Sequence, residues 1–288
     1  MNKSWIIIGS ITTTLLLWAS AFVGIRAGLE AFSPTHLSLL RYATASIVLI
    51  IYALIAKVRL PERKDVLKIM LLGFIGITLY NVALNYGELS VTAGVASFIV
   101  NSGPIFTTIL ASIFLKERIS CWGVFAIVIS FIGVLIISLD DLRKLQFNEG
   151  ILLLIVAALT QAIYFVFQKP LLRKYRPLEL TTFMILSGTI FMLPFSPGII
   201  EAIALAPIDK TITVLYLGIF PGALAYLTWS VALSKIRASL VSSFLFLIPL
   251  LTIGIAWIYL SEIPTLYTWI GGFLILIGVI IMNIVGKK

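Results

Sequence analysis

The sequence predicts an all-α integral membrane protein: ten transmembrane helices in two inverted five-helix repeats, both termini cytoplasmic. Three observations predict it. The chain is a succession of apolar runs of spanning length, its basic residues crowd into alternate connections, and a set of landmarks returns about 145 positions later. Of 288 residues, 60% are hydrophobic and only 11% charged, with a mean hydropathy of +1.13. Soluble domains are nearer half apolar and a quarter charged, so a bilayer is the expected solvent. A net charge of +9 would suit nucleic acid, but the lysines and arginines sit in short loops between apolar runs, and no nucleic-acid partner is expected. The single cysteine, Cys121, excludes an intrachain disulfide and a thiol-based zinc site. Beside Trp122 it reads as a small helix-packing residue. No metal or cofactor is expected.

A spanning helix needs about 20 mostly apolar residues. Ten runs qualify, at 5–27, 36–56, 66–87, 91–115, 121–139, 150–168, 179–196, 211–233, 239–260 and 266–285. In the first, Lys3 and "WASA" (Trp18–Ala21) imitate a cleavable signal, yet apolar character continues through Phe22, Val23 and Ile25, which favours a retained helix. Connections such as "AKVRLPERKD" (Ala56–Asp65) are short, so one membrane unit is expected. With the N-terminus inside, sixteen of the 21 lysines and arginines fall in cytoplasmic segments and four outside, with Arg41 inside the second run. This surplus is the positive-inside pattern.

The repeat is written in its landmarks. Pro104 is followed thirteen residues later by Glu117, and Pro249 thirteen residues later by Glu262. "LLGFIG" (Leu71–Gly76) matches "YLGIFPG" (Tyr216–Gly222), Tyr80 matches Tyr226, and "FIGVLII" (Phe131–Ile137) matches "LIGVIIM" (Leu276–Met282). Near the start the shift is 143: Ala19, Phe22, Val23, Pro34 and Leu37 match Ala162, Phe165, Val166, Pro177 and Leu180. Residues 1–145 and 146–288 therefore form two five-helix repeats, and an odd number of helices inverts the second. Such halves can exchange conformations around a midplane site, which is alternating access. Pro104 and Pro249 are expected near the centres of bent helices packed at the pseudo-twofold axis, where a freed carbonyl can line a cavity; the alternative is that both are packing kinks.

"LLLWASAFVGIRAGLEAFSPTHLSLLRY" (Leu15–Tyr42), "GPIFTTILASIFLKERIS" (Gly103–Ser120) and the repeat resemble the drug/metabolite transporter superfamily, specifically its EamA-type exporters, over essentially the whole chain. The resemblance implies export of small metabolites, amino acids prominent among them, through a cavity enclosed by both halves. The halves are chemically unequal: Gln161 stands where the first has Trp18, and Met184 where it has Arg41.

Polar groups inside a membrane are functional candidates by default. In the third helix Asn81, Asn85 and Glu88 share a face, with Tyr80 beside it. The fourth offers Ser97 and Asn101, the sixth Gln161, Tyr164 and Gln168, the eighth Tyr226, Trp229 and Ser230, the ninth Ser242 and Ser243, and the first Trp18. Amides that both donate and accept, with aromatic walls, suit a zwitterionic or weakly polar substrate with an apolar side chain. The alternative for each is a hydrogen bond between helices. Trp5, Tyr52 and Trp269 read as interfacial belt residues. Small multidrug-resistance relatives in the superfamily carry a coupling glutamate in their first helix, and this chain has none there. His36, Arg41 and Glu88 cluster towards the outer face; His36 and Glu88 are the candidates for proton coupling, with an interfacial His36 and a snorkelling or packing Arg41 as the alternative. Glu117 and Glu262 lie on opposite membrane faces and read as gating or structural groups, such as caps on the helices that follow them.

The expectation is a carrier, not an enzyme. One His, one Cys and no midplane acid leave no catalytic constellation. It would export amino acids, aromatic or otherwise apolar ones included, with weak coupling or none, as a monomer in the bacterial inner membrane. Proton-coupled export of drugs or lipid precursors is the alternative.

Overall fold

The computed structural model describes residues 3–91, 93–137, 149–260 and 266–284, and these are helical with no strand among them. Glu262 lies outside the described residues. In chain order the long helices are α1 (Lys3–Gly28), α2 (Pro34–Ile55), α3 (Arg63–Ser90), α4 (Ala93–Phe114), α5 (Cys121–Ile137), α6 (Glu149–Leu171), α7 (Pro177–Phe195) and α8 (Ile208–Lys235). Then come α9, built of Ala238–Ser243 and Ile248–Leu260, and α10 (Leu266–Ile284). A short helix, Ile199–Leu205, lies between α7 and α8. Eight of these helices are long and apolar enough to cross a membrane, and α5 and α10 supply two shorter apolar stretches. The protein is multi-pass.

Helix ends follow local chemistry. α2 starts on Ser33, whose hydroxyl accepts from the His36 N–H at 3.2 Å, with Pro34 pre-set for the first turn. Its counterpart α7 starts on Pro177, where Glu179 reaches back to the Arg176 N–H at 2.9 Å. Two helices are not α throughout. α3 runs through a π-helical stretch at Phe74–Leu79, and α8 through one at Gly218–Leu224. The shared "LG" landmarks just before them place both at equivalent repeat positions. Both proline helices are interrupted as well: α4 breaks at Asn101–Ser102 and α9 tightens into a 3₁₀ turn at Phe244–Leu247. Pro104 and Pro249 thus open the segment after each break rather than sit inside a continuous helix, as a residue without an N–H should.

The packing obeys the same shift as the sequence. α3 packs on α6 and α8 on α1; α7 packs on α3 and α2 on α8; α4 meets α9, α2 meets α7, and α5 meets α10. At the α2–α7 contact, Ser46 and Thr189, 143 positions apart, share a hydrogen bond of 2.8 Å. In the α5–α10 contact a Cβ on Gly133 would lie 2.6 Å from the Gly271 carbonyl, and one on Gly278 2.6 Å from the Ala126 carbonyl. Glycine lets these backbones touch, the usual device where lipid offers no hydrophobic drive.

Loops group on two faces. On one, the Tyr175 hydroxyl donates to Asp65 at 2.7 Å and accepts from the Glu62 N–H at 3.0 Å, while Lys174 pairs with Glu62 and Asp65. On the other, Lys210 pairs with Glu30, and His36 Nε2 meets the Pro197 carbonyl at 3.0 Å. Trp5, Tyr52 and Trp269 are exposed near helix ends, and a band of exposed apolar residues such as Ile51, Leu54 and Ile113 covers the flanks. Cys121 corrects an expectation: it is exposed at the start of α5 and packs no helix pair.

Candidate functional site

Helices of both halves enclose an internal cavity of about 30 Å³. That holds two or three waters, at about 10–15 Å³ each by this measure. Its wall contains Trp18 and Phe22 from α1, Arg41 and Tyr42 from α2, Tyr80 and Asn81 from α3, and Asn101 from α4. α6 adds Gln161, and α8 adds Pro221 and Tyr226. Six residues marked in the sequence therefore meet here: Trp18, Tyr80, Asn81, Asn101, Gln161 and Tyr226.

Each is aimed by its backbone. The π stretch of α3 precedes Asn81, whose Nδ2 donates to the Ile77 carbonyl at 2.8 Å and leaves Oδ1 without a partner. The π stretch of α8 presents the Pro221 carbonyl, which accepts from Trp18 Nε1 at 3.3 Å. Asn101, at the break in α4, donates from Nδ2 to the Ser97 carbonyl at 2.7 Å and to Ser97 Oγ at 3.2 Å. Pro104 has no N–H for the Val100 carbonyl, and Val100 lines the cavity. Gln161 Oε1 is buried without a partner. Trp18 stands between Tyr226 and Trp229, at ring separations of 5.4 and 5.3 Å, and the Tyr42 hydroxyl donates to that of Tyr226 at 3.2 Å.

Four marked residues stand behind the wall. Asn85 donates to the Pro34 carbonyl at 3.1 Å and to Ser38 Oγ at 2.8 Å, which ties α3 to α2. Ser97 serves Asn101. Tyr164 fills the space left by Gly76 and packs edge-on to Tyr226 at 6.0 Å. Trp229 backs Phe165 at 4.3 Å. Gln168 bonds Ser230 at 2.7 Å, and Ser242 and Ser243 bond their own helix.

Tyr42 was missed by sequence reasoning, and Arg41, read there as snorkelling or packing, was not placed in the cavity wall. Arg41 does not snorkel: it is 3% exposed, its Nε and Nη1 have no partner, and its guanidinium lies 5.7 Å from the Tyr42 ring. Nor does His36 join it, being held to the α7–α8 connection. Glu88 is fully buried with both carboxylate oxygens unpartnered, in the field of Arg41 and Arg26. The available signal was the Arg41/Met184 mismatch, which marked a position where the halves differ in charge.

Beyond the cavity, the same kind of contact recurs at two equivalent repeat positions. Arg26, near the end of α1, donates to the Glu88 carbonyl of α3 at 2.8 Å. Lys169, near the end of α6, donates to the Leu233 and Ile236 carbonyls at the end of α8. Arg26 and Lys169 are 143 positions apart, and Glu88 and Leu233 are 145 apart. Glu117 lies beside Lys169 and caps α9, not the helix that follows it. Its carboxylate accepts from the Ala238 N–H at 2.8 Å, the Ser239 N–H at 3.1 Å and Ser239 Oγ at 2.6 Å. A cleft of about 680 Å³ opens on this face, lined by Glu117, Lys169, Arg173 and Arg237.

The EamA-like transporter family matches the chain twice, over residues 4–139 and 148–284. The protein belongs to that family. "Uncharacterized transporter YdfC" of Bacillus subtilis (strain 168) is 41% identical over 91% of this chain and 86% of its own length. The "Probable terminal-alkyne amino-acid exporter" of Streptantibioticus cattleyicolor is 32% identical over 95% of this chain and 92% of its own. A crystal structure with 17% identity superposes at a TM-score of 0.80, covering 99% of this chain and 98% of that one, which shows a shared fold.

Proposed function

We propose that this EamA-family transporter is an alternating-access exporter of small metabolites, foremost amino acids, aromatic or other apolar ones included. It would act without obligatory proton coupling, as a monomer in a bacterial inner membrane. Ten spans are read as two inverted five-helix repeats, 1–145 and 146–288, with both termini cytoplasmic. The observation that carries the reading is the small cavity lined by Trp18, Arg41, Asn81, Asn101 and Gln161, with a cation-to-carbonyl contact at equivalent repeat positions towards each end. A carrier of this design opens one such contact, as a latch, while the other stays closed, and the cavity between them is then reached from one side at a time. Amides, aromatic rings and one guanidinium can together meet the ammonium, apolar side chain and carboxylate of an amino acid. The amino-acid exporter among its relatives supports that substrate class.

Buried Glu88 favours a second reading, proton-coupled export of drugs or lipid precursors. Proteoliposomes loaded with labelled amino acids, with and without a pH gradient, separate the two. Amino-acid movement indifferent to the gradient supports the first; gradient-driven amino-acid movement that Glu88→Gln abolishes adds proton coupling to it, and no amino-acid movement from folded protein supports the second.

A further inference from the structure

We infer that Arg41 is the carboxylate-binding subsite of the transport cavity, and that it fixes the orientation of a substrate carrying one carboxylate and an apolar side chain. This rests on the transport reading above and names the substrate chemistry that reading leaves open.

The cavity contains one fixed cation among otherwise neutral wall residues. A guanidinium has five N–H donors in a planar fork that matches a carboxylate. In Arg41, Nε and Nη1, one donor from each of the two edges that Nη2 completes, are buried with no acceptor. A buried charge that lacks a partner is strongly unfavourable, so a site that retains one is completed by an anion arriving from elsewhere. The Tyr42 ring, 5.7 Å from the guanidinium, steadies the cation without occupying those donors. The Asn81 and Gln161 oxygens, also unpartnered, offer acceptors for an ammonium group. Trp18, Phe22 and Tyr226 supply the apolar wall. Asymmetry decides the orientation: the repeat-equivalent of Arg41 is Met184, fully buried and uncharged, so only one side of the pseudo-twofold site can take a carboxylate.

The rival partner for Arg41 is Glu88, whose oxygens are unpartnered in the same electrostatic neighbourhood. An inorganic anion is the other rival. The test uses full-length protein and three probes: L-phenylalanine, its carboxamide, and 3-phenylpropionate, which keeps the carboxylate without the amine. Transport in proteoliposomes is read together with thermal melting of purified protein in chloride and in gluconate. Arg41→Met copies the residue tolerated at 184, Arg41→Lys keeps the charge without the fork, and Glu88→Gln removes the rival.

The expected result is that at least one carboxylate probe moves or raises the melting temperature while the carboxamide does neither. Arg41→Met should lower that response at least tenfold, Arg41→Lys should recover part of it, and Glu88→Gln should leave it. If 3-phenylpropionate moves and phenylalanine does not, the subsite stands and the amino-acid reading falls. If phenylalanine moves equally well in Arg41→Met, the amino-acid reading stands and the subsite is overturned. The proposal is also overturned if Arg41→Met alters melting only in chloride, if loss of Arg41 matters only while Glu88 is present, or if no carboxylate moves or stabilises the protein.

Discussion

The α2–α8 and α7–α3 contacts are one joint built twice with different side chains. In the first, Gly218 brings α8 against the backbone of α2, and a Cβ there would lie 2.6 Å from the Arg41 carbonyl. In the second, Gly73 brings α3 against the Met184 carbonyl of α7 in the same way. The backbone joint is kept while the side chain it presents changes from a guanidinium to a thioether. The two positions share a backbone contact, and in the carrier proposed above the chemistry is carried by the side chains that differ.

The sharpest way to break the comparison is Met184→Arg. Met184 is fully buried with no acceptor provided for a charge, so the substitution should cost about 3–5 kcal/mol. It should reduce the yield of monodisperse protein severely, whereas Arg41→Met should fold. Equal tolerance of both would mean that Arg41 stands in no specially prepared site.

A smaller effect separates the two π-helical stretches. A Cβ on Gly76 would collide with the Tyr164 ring, while one on Gly222 would sit 3.0 Å from the Leu217 carbonyl and 3.2 Å from Ala45. Gly76→Ala should therefore destabilise by about 1–3 kcal/mol, as overpacked cores do. Gly222→Ala should cost less, because the looser contacts are offset by about 0.5–1 kcal/mol of backbone entropy recovered on replacing glycine in a helix. Thermal melting of the pair tests this.

The latches give the next contrast. Arg26→Ala and Lys169→Ala each delete a charged donor from a helix end, an interaction worth about 1.5–3 kcal/mol. In a Cys121→Ser, Asn101→Cys background, labelling by a membrane-impermeant maleimide should rise severalfold from the α3–α4 face in the first and from the α8–α9 face in the second. A rise from the same face in both would contradict opposed gates.

The helices and the shift were legible because apolar length and landmark spacing are properties of the chain itself. Trp18, Asn81, Asn101 and Gln161 were legible because polar and aromatic groups at helix centres are rare and conspicuous. Arg41 and Tyr42 were not, since hydropathy cannot say which way a side chain points once a helix is surrounded by others. Glu117 was read as a local cap because its true partners, Ala238 and Ser239, are more than a hundred residues away in the other half. The π stretch of α3 was invisible because "FIGITL" has no residue that forbids an ordinary α turn, whereas that of α8 carried a signal in Pro221, which has no N–H to give.

The smallest expected effect lies outside the spans, where the Lys174 ammonium, and after it Lys64, hold the Glu62 carboxyl below its ordinary range. A depressed folded value means that this contact contributes above the unfolded carboxylate value and fades as pH falls through the lower folded one. Melting of Glu62→Gln and the parent should therefore differ slightly at neutral pH and converge in acid, and added salt should erase the difference because the pair is exposed.

The π stretch of α3 also acts as a phase setter. It separates Gly73, which is fixed against α7, from Asn81, Asn85 and Glu88 further along. Winding the same six residues as ordinary α-helix would leave the helix intact and just as apolar. It would also swing everything beyond it by about 100°. Asn81 would leave the cavity and Asn85 would lose α2, without a single polar residue having been mutated. A one-residue insertion in "FIGITL" would give a chain that still enters the membrane and no longer transports, with function lost through angle alone, whereas a one-residue deletion, absorbed by reversion to α, should keep it.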